Sequence, residues 1–196
     1  MIFFSFFVDL INGIDSDTND VNKTYKTLEH ALSLLNSGDN VFIYPGKYSG
    51  INLESETNMF EYGIKGFGHV VEFGEIKHTG FIKSLIENIK IRDVICESSS
   101  SIFTYKNIEF IGGHTFLCKG FNKSLEIPTN EIEFIDCTFG INFQLIVKSG
   151  IYNISFKNCT FRSKILPLIC LKGGTVDLKL TLCNLDVPIV NNIICN

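Results

Sequence analysis

The feature that most constrains the fold is a short pattern that recurs about every 22 residues through the second half of the chain. Residues 107–116, 131–139, 153–161 and 177–185 follow one template: polar, apolar, polar, apolar, two further residues, then a small one. The first apolar column reads Ile108, Ile132, Ile154, Leu178, and the second reads Phe110, Phe134, Phe156, Leu180. The small-residue column reads Gly113, Cys137, Cys159, Cys183. A more degenerate copy upstream has Ile89, Ile91 and Val94, and the spacings between copies are 19, 24, 22 and 24 residues. Such a period accommodates one coil of three short strands and their turns. The next coil then stacks on it at a strand spacing of roughly 4.8 Å. The alternation turns Ile108, Phe110 and their equivalents inward and leaves Glu109, Glu133, Ser155 and Lys179 outside. Leucine-rich repeats share the period but need a Leu-x-x-Leu-x-Leu spacing that is missing. The expected fold is therefore all-β, a parallel β-helix.

Composition agrees. The chain of 196 residues is 45% hydrophobic and 19% charged, too apolar for disorder, and its 18 phenylalanines favour strands. A net charge of -4 leaves no basic footprint, so no nucleic-acid partner is expected. The longest charge-free apolar run, residues 1–8, falls far short of the roughly 20 residues of a membrane helix. It reads as the first strand, and no membrane span is expected. Seven cysteines with no CxxC pair exclude a zinc framework and leave at least one thiol unpaired. Sequons at Asn22, Asn122, Asn153 and Asn158 lean towards an extracellular or surface location.

Only residues 24–35 have helical periodicity, with Leu28, Ala31, Leu32 and Leu35 on one face and Thr24 as the expected N-cap. Ser37-Gly38-Asp39 stops that helix. A strand at Val41–Tyr44 and a turn at Pro45-Gly46 follow, and no second helix is expected. These residues carry a resemblance. Val8-Asp9, then Asn12-Gly13-Ile14-Asp15, then Tyr25-Lys26-Thr27-Leu28-Glu29-His30-Ala31-Leu32 stand in a fixed order. Gly38-Asp39, Val41-Phe42-Ile43-Tyr44 and Pro45-Gly46-Lys47-Tyr48 complete it. In order and spacing this segment resembles the opening of right-handed parallel β-helix repeat proteins of the pectin-lyase-like superfamily. Gly63, Gly66 and Gly68 before Val70-Val71, and Asn158-Cys159-Thr160-Phe161 in a rung, resemble the same family; residues 75–101 match it poorly. The resemblance implies one β-helix domain over 1–196. Residues 1–50 would supply the N-terminal strand, capping helix and first rung, and residues 51–196 the stacked rungs, with a longer solenoid beyond as one expectation. It also implies that the helix plugs the first coil. The C-terminal end is expected to be open, free to stack on further rungs or another subunit.

Relatives of this fold include pectate lyases, polygalacturonases and pectin methylesterases, and their chemistry can be sought here. The lyases pair clustered carboxylates for calcium with an arginine or lysine base. The two arginines, Arg92 and Arg162, sit three copies apart, about 14 Å. Inverting hydrolases need two carboxylates at roughly 6.5–9.5 Å. Asp93 and Asp136 are expected in one column, two rungs and about 10 Å apart with Gly112 between, although that column continues as Asn158 and Leu182 and reads more simply as a turn. The Gly-His-Gly, Arg-Ile-Lys and Gln-Asp-Thr-Leu segments of the hydrolases and esterases are absent. Asp15, Asp17 and Asp20 read as a solvated loop before a calcium site. The three glycines read as a turn needing positive φ, because no helix follows to make a phosphate loop. His114 and Cys118 are too far apart on a strand to share a metal. Cys137, Cys159 and Cys183 read as inward free thiols, and His30, His69 and His78 suggest nothing. No catalytic, cofactor-binding or metal-binding residue is assigned and no cofactor is expected. The function expected is a non-catalytic scaffold, structural or carbohydrate-binding in an adhesin-like way, with a polysaccharide or cell-surface glycan as partner. A divergent polysaccharide lyase or glycoside hydrolase is the alternative.

Overall fold

A computed structural model describes residues 4–15, 24–67, 70–98, 100–111, 115–120, 129–162 and 169–185. In chain order these form β1 (Ser5–Val8), β2 (Thr24–Tyr25), α1 (Leu28–Ser33), β3 (Asn40–Ile43), β4 (Gly46–Tyr48) and β5 (Ile51–Gly66). Then come β6 (Val71–Glu87), β7 (Lys90–Glu97), β8 (Ile102–Lys106), β9 (Glu109–Phe110), β10 (Thr115–Lys119) and β11 (Thr129–Ile135). The last are β12 (Thr138–Phe139), β13 (Gln144–Ser149), β14 (Ile151–Lys157), β15 (Thr160–Phe161), β16 (Ile169–Leu171), β17 (Thr175–Thr181) and β18 (Asn184–Leu185). Every described pairing is parallel, and each strand pairs with strands one coil before or after it. The fold is a parallel β-helix with three faces. The first carries β1, β3, residues 60–66 and 82–87, β8, β11, β14 and β17. The second carries β4, residues 71–73 and 90–91, β9, β12, β15 and β18, and the third carries residues 51–55, 75–80 and 93–97, β10, β13 and β16. The poorly matched stretch 75–101 builds rungs like the others.

The interior is a set of stacked columns, and one of the expected columns is corrected. Ile132, Ile154 and Leu178 do stack, but the residue beneath Ile132 is Phe103, not Ile108. Ile108 belongs to the column of Cys137, Cys159 and Cys183, one turn later, as the backbone bonds Thr138 N to Ile108 O, Thr160 N to Cys137 O and Asn184 N to Cys159 O require. Gly113, expected in that column, lies outside the described residues. Phe110 likewise stacks with Phe139 and Phe161 rather than with Phe134. The true second column runs Phe6, Val41, Ile64, Ile86, Tyr105, Phe134, Phe156, Leu180. All of these but Leu180 are buried. Rings in the columns stack at 4.7 Å (Phe134–Phe156, Phe139–Phe161) and meet edge-on between columns. Both arrangements suit the aromatic quadrupole.

The turn from the first face to the second is fixed by backbone conformation. Asn88, Asn107, Asp136, Asn158 and Leu182 all have φ between 52° and 57°. Asn and Asp tolerate this left-handed region; a leucine does not. Leu182→Asn is therefore expected to stabilise the chain by about 0.5–1 kcal/mol, read as a rise in the urea midpoint at unchanged slope.

At the N-terminal end the helix begins later than Thr24. Thr24 and Tyr25 pair with Phe7 and Val8 as β2, and the N-cap is Thr27, whose side chain accepts from His30 N. Asp15 holds this junction by accepting from Lys26 N (2.9 Å), Thr27 N (3.0 Å) and Thr27 Oγ1 (2.7 Å). It is thus a structural carboxylate; Asp17 and Asp20 lie outside the described residues. Leu28 and Ala31 are buried, with Leu32 and Leu35 packed against the core, so α1 and β2 together cover the open end of the first coil. The Gly38-Asp39 stop also has a physical cause. Gly38 sits at φ 101°, and the buried Asp39 carboxylate accepts from Phe4 N and Asn36 N. Gly63 and Gly66, by contrast, lie inside β5 and not in a positive-φ turn. A Cβ on Gly66 would collide with Asn88 O and Ile89 of the next coil, so close approach explains that glycine.

Outside, charge alternates along the axis. Lys65–Glu87–Lys106 and Lys77–Glu97–Lys119 form two such ladders, with Lys90–Glu109 beside them. Each pair contributes little alone, but a one-residue slip would put the charges inside, so the ladders reinforce register.

Candidate functional site

The turn ladder borders a groove of about 280 Å³ between the first and second faces, lined by Asn88, Lys90, Asn107, Glu109, Asp136, Thr138 and Arg162. Its position follows from the left-handed turns, which push one side chain per coil outward just before each second-face strand, polar at Asn88, Asn107, Asp136 and Asn158. The turn side chains bond along the axis: Asn107 Nδ2 donates to Asn88 Oδ1 (2.9 Å) and Asn158 Nδ2 to Asp136 Oδ1 (2.7 Å). Lys90 Nζ and Glu109 Oε2 lie 2.7 Å apart. Arg162 is held by its backbone N–H on Phe139 O, is exposed, and makes no ion pair among the described residues. The groove therefore offers amides, a hydroxyl, one free guanidinium and two carboxylates that already have partners.

This constellation only partly matches the expectations. Asp93 and Asp136 are not brought together. Asp136 stands in the turn ladder, whereas Asp93 pairs with Glu75 at the start of the third face. The misplaced column had put them in line. Arg92 and Arg162 do lie three rungs apart, linked through Ile111 and Gly140. Arg92 leans on Glu72 at 3.8 Å. What brings chemistry to Asp136 is Glu109 and Arg162, which share its groove. Asn153 is exposed on β14, and Asn158 is exposed with its amide engaged by Asp136; Asn22 and Asn122 lie outside the described residues.

A second polar cluster lies inside the solenoid. His78 follows Ile76 on the inward side of the third face and is fully buried. Its Nδ1 is 3.1 Å from the Tyr62 hydroxyl and its Nε2 3.1 Å from the Tyr105 hydroxyl, so one tyrosine donates to the ring and the ring N–H donates to the other. Burial pushes the imidazole down to about 3, and it stays neutral. Tyr62 and Tyr105 are pushed well up, also by burial. The sequence held one clue to this cluster, a histidine at an apolar position of an alternating strand. Cys96 and Cys118 continue the His78 column as buried free thiols, while His114 lies outside the described residues. Cys137, Cys159 and Cys183 are free as expected, each thiol with two backbone carbonyls within reach of its one proton. Among the described residues no group of three or more His, Cys, Asp or Glu gathers as a metal site would require, and no helix is long and apolar enough to cross a membrane.

No protein-family model and no curated protein matches the chain. Among solved structures it is similar to a rhamnogalacturonan lyase, at 14% sequence identity and a TM-score of 0.40. The match covers 92% of this chain and 62% of that one. The fold stands on the register of the chain itself, with parallel coils, three faces and a helix over the first coil: it is a parallel β-helix.

Proposed function

We propose that this protein is a non-catalytic β-helix scaffold that holds carbohydrate in the groove between its first and second faces, with a surface or extracellular location. The observation that carries the reading is the groove's lining. Side-chain amides, Thr138 and the free guanidinium of Arg162 stand on a rigid ladder, and both carboxylates are engaged, Glu109 by Lys90 and Asp136 by Asn158. Such a site supplies hydrogen bonds to sugar hydroxyls and a cation for an acidic sugar. On a glycan array, Arg162→Ala is expected to weaken binding about tenfold, the loss of one charged hydrogen bond. An array on which the native chain retains no glycan overturns the reading.

A second reading rests on Asp136 and Glu109 lining one groove beside Arg162, which keeps a divergent lyase or hydrolase in view. Release of reducing ends or unsaturated products from polygalacturonate, lost in Asp136→Asn, would favour it over the scaffold. Among the described residues the outer edge of β17 is unpaired, a separate surface that further rungs or another subunit would fit.

A further inference from the structure

The two ends of the solenoid are not alike. At the N-terminal end β2 and α1 cover β1, whereas among the described residues nothing pairs with the outer edge of β17. The last described residues of the core columns there are part-exposed apolar side chains, with Leu178 38% and Leu180 41% exposed against 1% for Ile154 and Phe156 beneath them.

The edge strand reads Thr175-Val-Asp-Leu-Lys-Leu-Thr181, and it is self-complementary about its middle residue. Val176, Leu178 and Leu180 continue the inward columns of Tyr152, Ile154 and Phe156, so Thr175, Asp177, Lys179 and Thr181 face out. The bonds Thr175 N to Gly150 O and Asn158 N to Thr181 O fix which backbone groups are spent on β14. Those of Thr175, Asp177, Lys179 and Thr181 point to β14, and those of Val176, Leu178 and Leu180 point to the free edge.

We propose that this edge pairs antiparallel with the same edge of a second copy, about a two-fold axis at Leu178, joining two solenoids tail to tail. This deepens the open-end reading above. In that register each Leu178 exchanges both backbone groups with its twin, and Val176 does so with the partner's Leu180. These are the groups the edge leaves free. Val176, Leu178 and Leu180 meet their counterparts on the inner side and extend the core. On the outer side Asp177 faces the partner's Lys179, Lys179 faces the partner's Asp177, and Thr175 faces the partner's Thr181. Opposite charges and paired threonines are both favourable cross-strand neighbours. The contact is isologous and closes at two copies, because the other end of each solenoid is covered.

Analytical ultracentrifugation of the full chain tests this, with 22.0 kDa for one copy as the reference. The native protein is expected to sediment as a concentration-dependent dimer. Asp177→Lys sets like charges opposite each other twice and is expected to weaken the dimer about tenfold or more. The double exchange Asp177→Lys with Lys179→Asp restores the facing pairs and should return native affinity. Leu178→Lys, at a position already part-exposed in the monomer, should give a monomer with an unchanged circular dichroism spectrum. A native chain that stays monomeric, assembles beyond two copies, or dimerises equally well as Asp177→Lys overturns the proposal. So does a double exchange as weak as the single one. Glycan binding is read separately at Arg162, so failure of either reading leaves the other standing.

Discussion

Phe134→Ala is expected to cost about 3–5 kcal/mol, a large share of the marginal stability of a domain this size. The ring sits fully buried in the middle of the second column, stacked on Tyr105 at 5.4 Å and on Phe156 at 4.7 Å. Phe116 and Phe139 meet it edge-on at 5.3 and 5.4 Å from the neighbouring columns. Truncation removes the transfer energy of a whole ring and leaves a cavity. Coils above and below hold that cavity open because their own backbone pairing fixes the spacing. Leu180→Ala, in the same column at the exposed edge, provides the control and is expected to cost only about 1 kcal/mol. Urea denaturation followed by circular dichroism measures both. Equal losses at the two positions would mean that the column is not a continuous core.

The second large effect is a pH dependence centred on His78. Its imidazole is held down to about 3 in the folded chain against 6.5 when unfolded. Above pH 6.5 both states are neutral and the group contributes no slope. As pH falls below 6.5 the unfolded chain takes up a proton that the folded chain refuses, and stability falls by about 1.4 kcal/mol per pH unit. The loss reaches roughly 4–5 kcal/mol near pH 3, where the folded state begins to bind the proton as well. His78→Gln keeps a donor and an acceptor between Tyr62 and Tyr105 but cannot titrate. It is expected to lose about 1–3 kcal/mol at pH 7 and to remove this part of the acid slope. Carboxylates such as Glu97, held low by hydrogen bonds from Lys119 and Lys77, titrate in both proteins. The difference between the two stability curves therefore isolates the histidine. Parallel curves from pH 7 to pH 4 would refute a buried neutral His78.

The groove was partly legible in the residues alone. Asp136 and Arg162 both stand out in the sequence, yet with the wrong companions, because Glu109 reads as an ordinary outward charge until the turn places it, with Lys90, beside Asp136. The Tyr62–His78–Tyr105 cluster shows in the residues only as one histidine at an inward position, for a related reason. Its members are 16 and 27 residues apart, and only the coil period makes them neighbours.

The sequence by itself determined the coil period, the inward alternation and the helix before the rungs. Each is a local property: side chains alternate on any strand, and an apolar stripe makes a helix amphipathic wherever it lies. Register was decided only by tertiary structure. On both sides of a left-handed turn the chain reads polar-apolar-polar-apolar, so Ile108-Glu109-Phe110 imitates Ile132-Glu133-Phe134 although it stacks one strand further on. Intervals between successive turn residues run 19, 29, 22 and 24, and such uneven loops hide the offset. Stacking removes the ambiguity, because a coil seated on its neighbour must satisfy the backbone hydrogen bonds of all three faces together. That requirement separates Asp93 from Asp136, seats Thr24 in a strand instead of a cap, and carries His78 into the core.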